Sequence, residues 1–138
     1  MRRKLICRVV FLLSVLLILY MTLLTREPSA DHKNMLLHPF WEYVNLFRHF
    51  DLSHAHDIIL NIALFIPFGF SVPLCFSKMR KLKHIALCAA LVSGGIELIQ
   101  LVFHLGWCEI DDVFNNTVGA CIGLGLYKIF EKILERMK

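Results

Sequence analysis

Carboxyl and amide side chains occur inside two strongly apolar segments in the last third of the chain. Glu97 and Gln100 lie within one segment, and Asp112 and Asn116 open the next. Burial keeps some carboxyl groups protonated, so that one acid can donate a proton while another accepts it. An ionisable residue within a membrane span indicates a functional site by default. These residues therefore predict a binding site, or an acid–base pair of Glu97 and Asp112, inside a membrane.

The composition is typical of a membrane protein. Of the 138 residues, 57% are hydrophobic, and the mean hydropathy is +0.63. The net charge of +4 does not indicate nucleic-acid binding, because the basic residues cluster at the ends of apolar runs. The cysteines lack metal-type spacing, and His54, His56 and Asp57 are a weak ligand set without a fixed third spacing. We expect a single domain over residues 1–138 with no metal and no cofactor.

Four apolar segments are long enough to cross a bilayer, which takes roughly 17–25 helical residues. They cover residues 5–24, 57–76, 85–103 and 113–130. The first is interpreted as an uncleaved anchor, because Arg26, Glu27 and Pro28 follow it in place of a small-residue cleavage site. The aromatic residues after it suit a membrane interface and allow a short interfacial helix near Trp41. The prediction is an all-α, integral membrane four-helix bundle.

Basic residues predict the orientation of the spans. The amino terminus has four Lys or Arg residues, the link between spans two and three has four, and the carboxyl end has four, whereas the link between spans three and four has none. The positive-inside rule therefore places both termini in the cytoplasm and the acidic link outside. On that topology five polar residues reach the outer third of the bundle. We expect an outward-facing binding crevice formed by Asn61, Glu97, Gln100, Asp112 and Asn116.

Small residues predict where the helices approach one another. Gly119 and Gly123 form a small-xxx-small pattern, and Gly94 and Gly95 precede Glu97 in the third span. We expect all four glycines to allow close helix packing beneath the crevice.

Glu97 has a structural interpretation as well as a functional one. It could be a polar clamp that joins spans two, three and four through interhelical hydrogen bonds, each worth about 0.6–2 kcal/mol. The basic residues that flank it in the sequence are Lys83 and Lys128, both far along the chain. We therefore expect Glu97 to face the interior, where it is protonated or held by amide donors.

Several short blocks carry a resemblance to a known family, in matching order and spacing from Asn45 onward. They are residues 45–46, 61–69, 97–100, 106, 109, 112 and 116–119. On these blocks the chain resembles the VanZ-like family of small bacterial membrane proteins. Many members of that family carry aspartate where Glu109 stands and an arginine in the link before it, and this link has no arginine.

The resemblance also implies a class of function. The family's namesake is linked to teicoplanin resistance, which implies a multi-pass protein of the bacterial cytoplasmic membrane that modulates glycopeptide susceptibility. Its ligand would be a lipid headgroup or a glycopeptide at the outer leaflet. The alternatives are a membrane enzyme acting on a lipid-linked or envelope substrate, and a subunit of a small homo-oligomeric transporter. A non-enzymatic role is favoured, because no nucleophile–base pair or phosphate-cradling loop accompanies the carboxyl groups.

Overall fold

The computed structural model describes residues 2–26, 35–36, 38–50 and 52–137. Positions 1, 27–34, 37, 51 and 138 lie outside the described residues. Glu27 and Pro28, on which the interpretation of the first span as an uncleaved anchor partly depends, are among them. The described part is helical apart from one short pair of strands, which confirms the predicted all-α class.

Five α-helices and two short strands make up the described chain. The helices are α1 (Arg2–Leu19), α2 (Trp41–His49), α3 (Leu52–Cys75), α4 (Leu82–Phe103) and α5 (Ile110–Arg136). The strands are β1 (Met35–Leu36) and β2 (Cys108–Glu109), which pair in parallel. A π-helical turn (Tyr20–Leu24) extends α1, and a 3-10 turn (Ser77–Met79) follows α3. The strand pair ties the loop after α1 to the link before α5, a contact that the sequence pattern did not predict.

Among the described residues, three helical segments are long and apolar enough to cross a membrane. They are Leu5–Leu24, Leu52–Cys75 and Leu82–Phe103. They correspond to the first three predicted spans, although α3 begins at Leu52 instead of residue 57. The fourth predicted span lies within α5. Asn115, Asn116 and Lys128 make that helix more polar than the other three.

The long helices have one apolar face that no part of the described chain covers. On α4, Leu87, Leu91, Leu98 and Val102 are each at least 60% exposed. The opposite face of α4 is buried and carries the polar residues Ser93, Glu97 and Gln100. An apolar outer face with polar groups turned inward is the arrangement expected of a helix in a lipid environment.

The helix α3 lies at the centre of the packing. It contacts both α1 and α5, and α5 also packs against α4. Phe65, Phe68 and Val72 of α3 join Leu124 and Tyr127 of α5 in the buried core. The core therefore depends mainly on the α3–α5 pair.

Glycines allow α3 and α5 to meet backbone to backbone. A Cβ atom added to Gly119 would collide with the carbonyl oxygen of Ile62, and one added to Gly123 would collide with that of Ile66. Gly69 meets the backbone of α5 in the same way from the α3 side. These are the close approaches that small-xxx-small patterns permit in membranes.

Gly94 and Gly95 differ from the sequence expectation. A Cβ atom added at either position would meet no described atom within 4 Å. The two glycines fall outside the buried face of α4, which packs through Ser93, Ile96 and Glu97. Close helix packing therefore involves Gly119 and Gly123, and it does not require glycine at positions 94 and 95.

We expect Gly123→Ala to destabilise the protein, because the new methyl group would overlap the carbonyl of Ile66. Forced overpacking of this kind costs about 1–3 kcal/mol. Gly125→Ala is the matched control on the same helix, since its Cβ would meet no described atom within 4 Å. Thermal unfolding of both variants in detergent measures the difference. Equal melting temperatures would contradict a backbone contact at Gly123.

Candidate functional site

Four polar residues occupy the first two turns of α5, directly after β2. They are Asp111, Asp112, Asn115 and Asn116, and all four are buried. Neighbouring positions on an α-helix point about 100° apart, whereas positions four apart share a face. The four residues therefore form two polar faces on the helix. One face carries Asp111 and Asn115, and the other carries Asp112 and Asn116.

The first face holds α2. The carboxylate of Asp111 accepts hydrogen bonds from the backbone N–H groups of Phe40 (2.6 Å) and Glu42 (3.0 Å), at the start of α2. Asn115 donates to Oε2 of Glu42 (3.0 Å) and accepts from the hydroxyl of Tyr43 (2.5 Å). A carboxylate that bonds the first N–H groups of a helix also complements the helix dipole. The short helix predicted near Trp41 thus exists, and α5 fixes its position.

The second face joins three other segments. Nδ2 of Asn61, on α3, donates a hydrogen bond to Oδ1 of Asp112. Nη2 of Arg26, just after the first span, lies 3.7 Å from Oδ2 of the same carboxylate. One turn deeper, Nδ2 of Asn116 donates to Oγ of Ser93 on α4 (2.8 Å). Asp112 is therefore the meeting point of the first span, α3 and α5.

Glu97 and Gln100 make separate contacts on the buried face of α4. Oε2 of Glu97 accepts a hydrogen bond from the backbone N–H of Glu109 (2.9 Å), which ties α4 to β2. Nε2 of Gln100 donates to the carbonyl of Thr22 in the π-helical turn (2.8 Å). Both residues face the interior, as predicted for Glu97. Within the described residues, Oε1 of Gln100 and Oδ1 of Asn116 have no hydrogen-bond partner.

A cavity of about 600 Å³ opens beside Asp112. Its polar lining consists of Thr22, Arg26, Glu42, Asp57, Asn61, Glu109 and Asp112. Its apolar lining consists of Leu17, Met21, Leu60, Ala63, Leu64 and Trp107. The cavity thus presents four carboxyl groups and one guanidinium beside an aliphatic wall, a combination that suits an amphipathic ligand.

The five predicted crevice residues divide into two groups. Asn61 and Asp112 line the cavity, whereas Glu97, Gln100 and Asn116 do not. The latter three are buried behind the cavity wall, where they hydrogen-bond to neighbouring segments. The rotation of these residues about their helix axes separates the two groups. Of the predicted acid–base pair, Asp112 lines the cavity, whereas Glu97 is buried beside it and bonds to the backbone of Glu109.

Three carboxyl groups converge at the cavity. One oxygen each of Glu42, Glu109 and Asp112 lies within 4.8 Å of the others. A second group with the same spacing consists of Glu42, His54 and Asp57. The carboxylate oxygens of the first group are the kind of ligand that Mg²⁺ and Ca²⁺ prefer. The guanidinium of Arg26 lies beside Asp112 and already places one positive charge next to this group.

Burial changes the acidity of the carboxyl groups outside the spans. Burial, and after it the negative charges of Asp112 and Glu109, raise the pKa of Glu42 from 4.5 to about 8, against an opposing hydrogen bond from Asn115. Burial also raises the pKa of Glu109, and the nearby charge of Arg26 lowers it. Glu42 is therefore largely protonated at neutral pH, which reduces the repulsion among the converging carboxyl groups.

Sequence reasoning missed several residues of the site: Arg26, Glu42, Tyr43, Asp111 and Asn115. A signal existed for two of them, because Asp111 and Asn115 stand four apart, as do Asp112 and Asn116. No local pattern indicated that Glu42 and Tyr43, which lie between the first span and α3, reach α5.

Arg26 packs against the link between α4 and α5, which contains no arginine of its own. Gly106 of the link has a φ of +101°, and a Cβ atom there would lie 3.0 Å from Nη1 of Arg26. The guanidinium therefore packs against the link from outside it and reaches Asp112. A residue from the end of the first span thus brings positive charge to the acidic cluster.

Apolar helices of membrane length around a partly polar cavity define a small helical membrane protein. The family model VanZ/LLP1 matches residues 10–131, and the chain belongs to that family. It is similar to Protein VanZ of Enterococcus faecium, with 37% identity over 86 residues, which are 62% of this chain and 53% of that protein. The chain thus spans about half the length of this curated relative. No solved structure matches the chain.

The raised pKa of Glu42 predicts a pH-dependent stability. A carboxyl group whose pKa is about 8 in the folded protein and 4.5 when unfolded contributes stability that is fully present below pH 4.5 and lost as the pH rises through 8. One such group changes the free energy of unfolding by at most about 1.4 kcal/mol per pH unit.

We expect Glu42→Gln to reduce the slope of the free energy of unfolding against pH between pH 5 and 9. The control Glu135→Gln, at an exposed position, keeps the wild-type slope. Thermal unfolding in detergent measures both, and equal slopes for Glu42→Gln and wild type would refute this role.

Proposed function

We propose that the protein is a multi-pass protein of the bacterial cytoplasmic membrane, folded as a four-helix bundle with both termini in the cytoplasm. Two observations support this orientation. The cavity lies where α1 and α4 end and where α3 and α5 begin. The basic residues occur at the opposite helix ends, including Lys78, Arg80 and Lys81 between α3 and α4. The positive-inside rule assigns that basic end to the cytoplasm, so the cavity opens outward.

Cysteine labelling tests the orientation. In a variant without the native cysteines, Trp107→Cys places a thiol at the half-exposed mouth of the cavity, and Lys81→Cys places one in the basic turn. We expect a membrane-impermeant maleimide to label position 107 in intact cells and position 81 only after the cells are opened. The reverse pattern would refute the outward-facing cavity.

The function that this geometry supports best is binding of an amphipathic envelope ligand, which alters susceptibility to acyl-bearing glycopeptides of the teicoplanin type. One observation carries the proposal: Asp112 is held between Asn61 and Arg26 in a cavity whose other wall is aliphatic. The polar side would bind a lipid headgroup or the polar part of a drug. The aliphatic wall would contact the acyl chain. Membership in the VanZ/LLP1 family supports the link to glycopeptides.

The buried residues behind the cavity have a supporting role in this proposal. Glu97, Gln100 and Asn116 connect α4 to β2, to the first span and to α5 through buried hydrogen bonds. Their replacement leaves buried partners without hydrogen bonds, which costs about 1–3 kcal/mol for each group. They therefore act as the polar clamp, while Asn61 and Asp112 face the ligand.

A susceptibility panel separates the two groups. At equal membrane protein level, we expect Asn61→Ala and Asp112→Asn to abolish the change in teicoplanin susceptibility that the wild-type protein confers. Glu97→Ala and Asn116→Ala are expected to lower the amount of folded protein and its melting temperature, because each truncation removes a buried hydrogen bond. Gly125→Ala serves as the neutral control. Unchanged susceptibility in Asn61→Ala and Asp112→Asn, with protein present at wild-type level, would refute the binding role of the cavity.

A membrane enzyme acting on a lipid-linked substrate is the second candidate. The convergence of Glu42, Glu109 and Asp112 within 4.8 Å favours it, because adjacent carboxyl groups of different acidity can serve as acid and base. Asp112 would pair with Glu42 or Glu109 here, since Glu97 lies behind the cavity wall. Product release by the purified protein, abolished in Asp112→Asn, distinguishes this candidate from simple binding. Uptake or efflux in proteoliposomes would instead indicate a transporter.

A further inference from the structure

A second cavity, of about 550 Å³, lies at the other end of the helices. It is lined by residues of α1, α3 and α5 and by Arg80. The helices α1 and α5 both pack against α3, and this cavity, the inner groove, lies between them with α3 as its floor. From Asn61 to Phe70 of α3 the helix rises about 13 Å, so the inner groove is separate from the outer cavity.

The walls of the inner groove are apolar helix faces. Ile6 and Val10 are four apart on α1, and Phe70 and Leu74 are four apart on α3. The ring of Phe70 packs edge-on against Tyr127 at a centroid distance of 6.3 Å. These surfaces run along the helix axes and suit an extended hydrocarbon chain that lies parallel to the helices.

The rim of the inner groove carries charges of both signs. Arg80, after the 3-10 turn, donates through Nη1 to Oε1 of Glu131 (2.8 Å), and its guanidinium lies 5.6 Å from the ring centroid of Tyr127. The hydroxyl of Tyr127 also donates to Oε1 of Glu131 (2.8 Å). Glu135 stands one turn further along α5 and lines the same groove. The rim therefore offers one guanidinium and two carboxylates.

This charge pattern selects among membrane lipids. A guanidinium has five N–H donors, and Arg80 is half-exposed, so it can bind a phosphate while it still contacts Glu131. A purely anionic headgroup would also meet the two carboxylates and be repelled. A headgroup that carries a primary amine beside its phosphate can satisfy both signs. We propose that the inner groove binds an amine-bearing phospholipid, with the phosphate at Arg80, the ammonium at Glu131 and Glu135, and one acyl chain along the apolar walls.

Native mass spectrometry of the full-length protein tests this proposal. The protein is reconstituted in vesicles of phosphatidylethanolamine and phosphatidylglycerol at equal amounts with matched acyl chains, and the lipid that remains bound after extraction is identified. We expect phosphatidylethanolamine to be enriched about tenfold over its share in the vesicle, the scale of one charge-assisted hydrogen bond. Phosphatidylcholine with the same chains should be retained less, because its quaternary ammonium has no N–H donor. Bound lipid of bulk composition, or enriched in phosphatidylglycerol, would overturn the proposal.

Two sets of variants, each with its own control, separate the headgroup site from the groove. Glu135→Gln should abolish the preference for phosphatidylethanolamine, and Arg80→Gln should reduce the total amount of retained lipid, whereas Lys81→Gln, in the same basic turn, should change neither. Val10→Trp fills the groove and should expel the acyl chain. Val9→Trp is its matched control, because Val9 is exposed on the same helix but does not line the groove. Retention unchanged in Val10→Trp, or a preference unchanged in Glu135→Gln, would overturn the assignment even if Arg80→Gln fails to fold.

Discussion

The burial of Asp112 constrains more of this structure than any other single feature. Its side chain is 7% exposed, and it takes a hydrogen bond from Asn61 and an ion pair from Arg26. A buried carboxylate without partners would destabilise the fold strongly, because desolvation of a charge costs several kcal/mol. Three segments that are distant in sequence therefore have to converge at the start of α5. The cavity lies beside this junction, and aliphatic residues of α1 and α3 complete its lining.

The same turn of α5 also determines what covers the site. Asp111 points about 100° away from Asp112 and binds the first N–H groups of α2. Through that contact Glu42 reaches the cavity, although it belongs to a loop helix far from α5 in the sequence. The carboxyl group of Glu42 is protonated over most of the physiological pH range, so it joins the cluster without adding a full negative charge. The two adjacent aspartates thus have different contacts. Asp111 binds the start of α2, and Asp112 binds Asn61 and Arg26 at the cavity.

The sequence predicted the helices well and the contacts between side chains less well. Length and apolarity were sufficient to locate the first three spans, because crossing a bilayer sets a narrow range of helix lengths. The family resemblance, which depended on short blocks from Asn45 onward, is confirmed. The contact of Arg26 with Asp112 was not predictable, since no periodic pattern connects the end of one helix to the start of another. The rotation of each helix about its axis could not be predicted either. In the structure Glu97 lies outside the cavity lining, and a Cβ atom added to Gly94 or Gly95 would meet no described atom within 4 Å.

The glycine contacts between α3 and α5 have a mechanical consequence. Where two backbones touch with no side-chain layer between them, neither helix can slide or tilt without a collision of main-chain atoms. The contact therefore restricts the motion of these two helices relative to each other. Any change in the volume of the cavity beside Asp112 that admits a larger guest then has to come from the other segments of its lining, the end of α1 with Arg26 and the region of α2. The α3–α5 pair would then stay in place, and α1 and α2 would move toward it or away from it as the cavity volume changes.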